Sequence, residues 1–315
     1  MDEMRDLHDE RPIQLPTRRP DEEFRTLSSS IRVEIAACSN PGSRSANADH
    51  YHVVRLGRHQ ETIASSLPDG DVPARFDEAA YGIFVADGTG AVDSGETASR
   101  LAVSTLAHLA LHFAKWNVRI DPRTADDVIQ RGLRFYRRVD DRVTEAGLEN
   151  PELSGMGTTL TVAYIADDAL FLGHVGHSRA YLLRGDVLTQ LTRDQTLAQR
   201  LGSGRLPAPT PLAAQDIGHI LTDAIGGRAG TPSIQIGRIR LQPDDYILLC
   251  TNGLTDVVED DGIKAILLQP DSLDQRCRAL VDLALARGGP DNVTVVVAKY
   301  TVPGGPVRGF VTHLD

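Results

Sequence analysis

Three aspartates sit where a chain folding into sheets could bring them to one edge. Asp49 lies in a polar turn after Ser39-Asn40-Pro41-Gly42. Asp87 ends the apolar run Tyr81 to Ala86 and is followed by Gly88-Thr89-Gly90. Asp291 follows Gly288-Gly289-Pro290 and opens a valine-rich run. Acids at strand ends beside glycine turns can converge into an oxygen-rich site. Such a site suits hard cations such as Mg2+ or Mn2+, which keep waters and activate one of them as a nucleophile. Taken singly, each Asp reads first as a turn former, because its side chain bonds nearby backbone.

Other constellations point elsewhere and are weaker. Gly176-His177-Ser178-Arg179-Ala180 nearly matches a nucleophile elbow, but that motif needs a helix next and a final glycine. Here Tyr181 to Leu191 alternates and turns like a hairpin. Gly88-Thr89-Gly90 faintly resembles a dinucleotide loop, yet the third glycine falls at Gly95 and no βαβ unit follows. His174 and His177 lack the acidic or thiolate company of a zinc site.

The elements that must position these residues follow from hydrophobic period. Ile31–Ser39 and His50–Leu56 alternate as strands, and Tyr81–Asp87 reads as a strand buried on both faces. Between them, Gly57 to Glu78 is polar, holds Pro68-Asp69-Gly70, and reads as a long loop. From Gly95 to Trp116 the period becomes helical, with Ala98, Leu101, Ala102, Leu106, Leu109 and Phe113 on one stripe. Residues 124–146 repeat that pattern. Residues 158–166, 169–176 and 179–191 read as an antiparallel meander, turning at Asp167-Asp168 and Gly185-Asp186. Residues 195–230 read as irregular or helical. Asp245–Asn252 is another buried strand, Gly262–Leu268 and Leu273–Arg287 are short helices, and Asp291–Tyr300 is the last strand. Strands in runs and helices in runs predict an α+β fold with antiparallel sheets.

Composition narrows the function. The 315 residues carry 43 acids against 33 Lys and Arg, a net charge of −10. That field argues against non-specific nucleic-acid binding. Cys38, Cys250 and Cys277 are too few and scattered for a disulfide framework or thiolate zinc site. The N-terminal residues show no apolar signal region. The most apolar long stretch, Ala98 to Trp116, is interrupted by Arg100, His108, His112 and Lys115, so a membrane span is not expected. The expectation is a soluble, cytoplasmic monomer without nucleic-acid or membrane partners. Residues 1–29 read as a flexible arm, 30–302 as one domain and 303–315 as a tail.

In order along the chain, seven segments resemble the metal-dependent protein phosphatases of the PPM, or type 2C, family. Arg44 to Asp49 resembles R-x-x-N-E-D, and Phe84 to Gly90 resembles V-x-D-G-x-G-G, with Gly95-Glu96-Thr97 beginning the expected helix. Gly155 to Leu160 is similar to M-G-T-T-L, and His174 to Tyr181 to H-V-G-D-S-R-x-Y. Leu191 to Gln195 is similar to L-T-x-D-H, Leu248 to Asp256 to L-L-x-S-D-G-L-x-D, and Gly288 to Thr294 to G-G-x-D-N-x-T. The resemblance implies a four-layer α-β-β-α sandwich of two antiparallel sheets flanked by helices. It implies hydrolysis of phosphoserine and phosphothreonine on a phosphoprotein by water held between two Mn2+ or Mg2+ ions. Asp87 would bridge the metals, Gly88 would offer its carbonyl, and Asp49, Asn252 and Asp291 would complete the set. Arg44 would bind the substrate phosphate, which suits a guanidinium fork.

The departures from the family pattern fall on acids. Ala48 stands for a glutamate, His177 for an aspartate of G-D-S-R, and Asn252 for the aspartate of D-G-L. An Asn oxygen ligates without charge, so attraction falls while the cation's desolvation cost stays. His177 is acceptable to Mn2+ or Zn2+ as neutral imidazole, and repels a third cation if protonated. Two readings follow: a working but attenuated phosphatase whose third-metal site is lost, or a pseudophosphatase that binds phosphoproteins without turnover. Leu197 to Ile220 corresponds in position to the family's variable flap beside the cleft.

Overall fold

The computed structural model describes residues 31–302, apart from 69, 91, 114–119, 121, 202–216, 218, 228 and 229. The expected arm at 1–29, the tail at 303–315 and most of the 197–220 flap lie outside the described residues. Of the described residues, 58–78 form one compact unit and the remainder another.

The larger unit holds two antiparallel sheets. The first has the strand order β1 (Arg32–Asn40), β12 (Val293–Thr301), β11 (Tyr246–Cys250), β7 (Arg179–Arg184), β8 (Val187–Gln190). The second runs β10 (Gln235–Arg240), β6 (Ala169–Val175), β5 (Leu160–Ala166), β3 (Arg75–Thr89), β4 (Gly157–Thr158), β9 (Ile225–Gly226), and β2 (Asp49–Glu61) pairs with β3 beside this path. Helices α1 (Val92–Phe113) and α2 (Pro122–Glu149) pack on the second sheet. Helices α3 (Asp260–Leu267) and α4 (Leu273–Ala286) pack on the first.

Strand alternation explains the layering. In β12, Val293, Val295 and Val297 face α3 and α4, while Val296, Ala298 and Tyr300 face the other sheet. In β3, Ile83 and Val85 point between the sheets, while Phe84 and Ala86 meet α1 and α2. A period of two thus feeds two cores from each central strand. The result is the expected four-layer α-β-β-α sandwich. Cys250 is a buried free thiol, as its apolar strand run predicts, Cys38 in its own strand run is only partly buried, and Cys277 is buried as well.

Three expectations change. The 57–78 loop is shorter, because β2 and β3 extend to Glu61 and from Arg75. Within the smaller unit, Thr62 N–H donates to Ala74 O at 2.9 Å, and Arg58 pairs with Glu78. The proposed meander is two hairpins on different sheets: β5 pairs with β6, and β7 with β8. Gly176, at φ 110°, makes the transfer between them, and a Cβ there would lie 2.7 Å from Thr159 Cβ. Strand β10 pairs with β6 although Gln235–Arg240 shows little alternation of its own.

Candidate active site

Asp49 and Asp291 are held by side-chain partners, Asp87 through its backbone. Asp49 opens β2 and is buried; its Oδ2 accepts a hydrogen bond from Thr251 Oγ1 at 2.8 Å, whereas its buried Oδ1 accepts none. Burial, with the charge of Asp291 adding to it, pushes its pKa up to about 7. Such a group is a carboxylate awaiting a countercharge.

Asp87 lies near the end of β3, where Thr158 and Thr159 fasten it. Its N–H donates to Thr159 Oγ1 at 2.9 Å, and its carbonyl accepts from Thr159 N–H and Thr158 Oγ1, both at 2.9 Å. Burial, then the charges of Asp49, Asp291 and Asp256, raise its pKa well above the ordinary carboxylate value; Arg44 works the other way. Gly88 follows, its N–H donating to Ala48 O at 3.2 Å. A Cβ at Gly88 would fall 2.0 Å from Gly95 O, so only glycine lets β3 pass the start of α1 this closely.

Asp291 depends on how α4 ends. Gly288 and Gly289 take φ of 107° and 46°, and Gly289 N–H returns to Ala284 O at 3.0 Å. These glycines satisfy the last carbonyls of the helix and redirect the chain toward Pro290-Asp291. Arg44 then grips Asp291 with a fork, Nε to Oδ1 at 3.0 Å and Nη2 to Oδ2 at 3.2 Å. Asn292, to which the sequence reading gave no role, ties the two turns together. Its side chain donates to Pro41 O and Ala46 O, at 2.8 and 2.9 Å, and accepts from Ala48 N–H at 2.8 Å. The methyl of Ala48 ligates nothing, but the backbone of this residue supports the site: its carbonyl also accepts from Ser99 Oγ at 2.5 Å.

The altered positions form a different neighbourhood. His177 follows β6 and is buried, with Nδ1 3.8 Å from Asp87 Oδ2 and no hydrogen-bond partner. Burial pushes its pKa down to about 4, so the ring is neutral at pH 7 and the protonated alternative does not hold. Asn252 begins a helical turn, Asn252–Thr255, and donates from Nδ2 to Asp256 Oδ2 at 2.8 Å. His219 Nδ1 lies 3.4 Å from the same oxygen. Burial raises the Asp256 pKa, with His219 and Asn252 opposing it. Asp256 and His219 were missed as site residues. The acid was visible at the end of the Leu248 to Asp256 segment, but nothing local distinguished it from a turn acid. Beside them a cavity of about 560 Å³ is lined by His177, Arg179, Asp194, Thr196, His219 and Asp256, among others. Arg179 and Asp194 close one wall as a bidentate pair, Nη2 to Oδ2 at 2.7 Å. His174 belongs to the interior: Thr161 Oγ1 contacts its Nδ1 at 2.9 Å, and it is fully buried.

The donors fit a hard divalent cation. Burial, with neighbouring carboxylates adding to it, raises the pKa of Asp49 and of Asp87, and Asp49 Oδ1 is an unpartnered, buried oxygen. Among the described residues no three His, Cys, Asp or Glu side chains already stand together as a ligand set. Both Asp291 oxygens are taken up by Arg44 in this arrangement.

Comparison with known proteins agrees with fold and motif order. The family described as Protein phosphatase 2C matches residues 60–280. The serine/threonine protein phosphatase PstP of Mycobacterium tuberculosis is 37% identical over 215 residues, 68% of this chain. The chain spans 39% of that relative's length. Protein phosphatase PhpP of Streptococcus pneumoniae is 31% identical over 220 residues, 69% of this chain and 85% of the relative. The crystal structure of the PstP catalytic domain in complex with two manganese ions superposes with a TM-score of 0.65 at 32% identity, covering 86% of this chain and 99% of that one. The chain belongs to the protein phosphatase 2C family. Among the described residues no helix is long and apolar enough to cross a membrane.

Proposed function

We propose that this chain is a Mn2+- or Mg2+-dependent phosphatase that hydrolyses phosphoserine and phosphothreonine in proteins, attenuated by the changes at Ala48, His177 and Asn252. The observation that carries the reading is the cluster of Asp49, Asp87 and Asp291, with one buried Asp49 oxygen unpartnered, beside the exposed fork of Arg44. In this reading Asp49, Asp87, the Gly88 carbonyl and Asp291 would hold the ions, with Asn252 as a neutral oxygen donor. Bound divalent ions supply a water of lowered pKa and a countercharge for the phosphoryl oxygens. Arg44 binds and orients the phosphate through parallel N–H donors. The Thr158 and Thr159 bonds hold the Asp87 backbone in place, so little reorganisation is needed when charge develops. With a neutral histidine at 177 and Asn252 bonded to Asp256, a third ion has lost its acids.

The reading takes 30–302 as the catalytic domain, acting in the cytoplasm as a monomer, with 1–29 as an arm and 303–315 as a tail. A pseudophosphatase is the competing reading, favoured by the Arg44–Asp291 pair, which occupies a ligand and a phosphate receptor together. Titrating Mn2+ into metal-stripped protein while following phosphate release from a phosphothreonine peptide separates the two. Binding of about two ions with Mn2+-dependent release is expected. Binding without release under any metal condition would leave the pseudophosphatase.

A further inference from the structure

Arg44 and Asp291 are brought together by two turns that cannot readily part. Ser43 N–H donates to Gly289 O at 2.8 Å, and the Asn292 side chain spans both turns. Gly42, at φ 62°, packs so closely that a Cβ would lie 2.2 Å from Asp291 O. Within this frame the guanidinium covers both carboxylate oxygens of Asp291 at 3.0 and 3.2 Å.

We propose that Arg44 is a cation-gated phosphate receptor: it rests on Asp291 until a divalent cation takes that carboxylate, and only then presents its fork to a phosphate. The inference rests on the phosphatase reading of this site. One planar fork matches a carboxylate or a phosphate, and cannot satisfy both fully at once. A divalent cation on Asp291 repels the guanidinium and removes its partner in the same event. The pair is exposed enough to be displaced, with side chains 59% and 35% accessible. Pairs of that exposure shift an equilibrium by at most about fivefold. By linkage, metal and phosphate then strengthen one another's binding by the same factor.

The test is calorimetric titration of Mn2+ into the metal-stripped 315-residue chain, for wild type, Arg44→Lys and Arg44→Ala. The lysine keeps the charge but cannot cover both oxygens. Arg44→Ala is expected to bind Mn2+ about three- to fivefold more tightly than wild type, with Arg44→Lys between them. In parallel, the Arg44 Nε–H resonance should move as Mg2+ is added, before any phosphate is present. In titrations of inorganic phosphate, the gain in affinity caused by Mg2+ should shrink in Arg44→Ala. Equal Mn2+ affinity in wild type and Arg44→Ala overturns the gate and leaves the phosphatase reading standing. A lysine variant identical to wild type also overturns it, because charge and not the fork would then set the affinity. Failure of wild type to bind Mn2+ at all overturns both. Arg44 is largely exposed on a turn, and thermal melting of each metal-free variant checks that it folds.

Discussion

The site has two halves built on different principles. Around Asp49, Asp87 and Asp291 the acids remain, and the side chains of Thr158, Thr159 and Asn292 fasten the backbone at Asp87 and Ala48. Around His177 and Asn252 the family's acids are replaced by neutral groups, and side chains bond mainly to one another, through Asp256 and His219. The first half stores electrostatic repulsion, which on the proposed reading a bound cation would relieve. The second has already neutralised much of its own. Losing acids at 177 and 252 therefore need not undo the geometry of the retained trio, because no bond that fastens Asp87 runs through either residue.

The largest expected effect breaks the first half. Asp87→Ala should abolish detectable Mn2+ binding by calorimetry, and turnover with it; persistent binding would mean the ions sit elsewhere. Gly88→Ala comes next. Its methyl meets the Gly95 carbonyl at 2.0 Å, backbone against backbone, so a loss of about 3 kcal/mol in chemical denaturation is expected. A neutral outcome would show that β3 and α1 can separate freely.

The stored repulsion has a pH signature. With Asp49 at about 7 in the folded chain and near 4 when unfolded, the native state keeps a proton that the unfolded state releases. Metal-free stability should therefore be fully present below about pH 4 and fall as pH rises toward about 7. Asp49→Asn should flatten that slope in urea denaturation at several pH values. An unchanged slope would place the repulsion on other groups.

The smallest effect sharpens the second half. Asn252→Asp restores a charge but faces Asp256 across a bond that now runs at 2.8 Å. Without metal it should cost about 1 kcal/mol; with Mn2+ it should tighten binding about tenfold, the value of one added charge in a polar site, and raise phosphate release. Tighter binding with no release would count against the attenuated enzyme and for the silent one.

Much of the molecule was legible in the chain because its physics is local. Alternation in Val293 to Tyr300 gives a strand that feeds two cores, and the stripe from Ala98 to Phe113 gives a helix. The motif order located Arg44, Asp87 and Asp291 within one family of sites. Legibility failed where contacts are distant. Strand β10 has little pattern of its own and is paired by β6. The hairpin of β7 and β8 reads like a continuation of β5 and β6, and only Gly176, at a positive φ, sends it to the other sheet.

By itself, the sequence determined which elements form and which acids are retained or lost, since hydrophobic period and residue type act over a few positions. Only the tertiary structure decided that Asp49 is buried with an unpartnered oxygen, that His177 is neutral, and that Arg44 holds Asp291. Those are questions of desolvation and of charges meeting across more than 200 residues of chain, and no local pattern encodes the dielectric in which two distant side chains will meet.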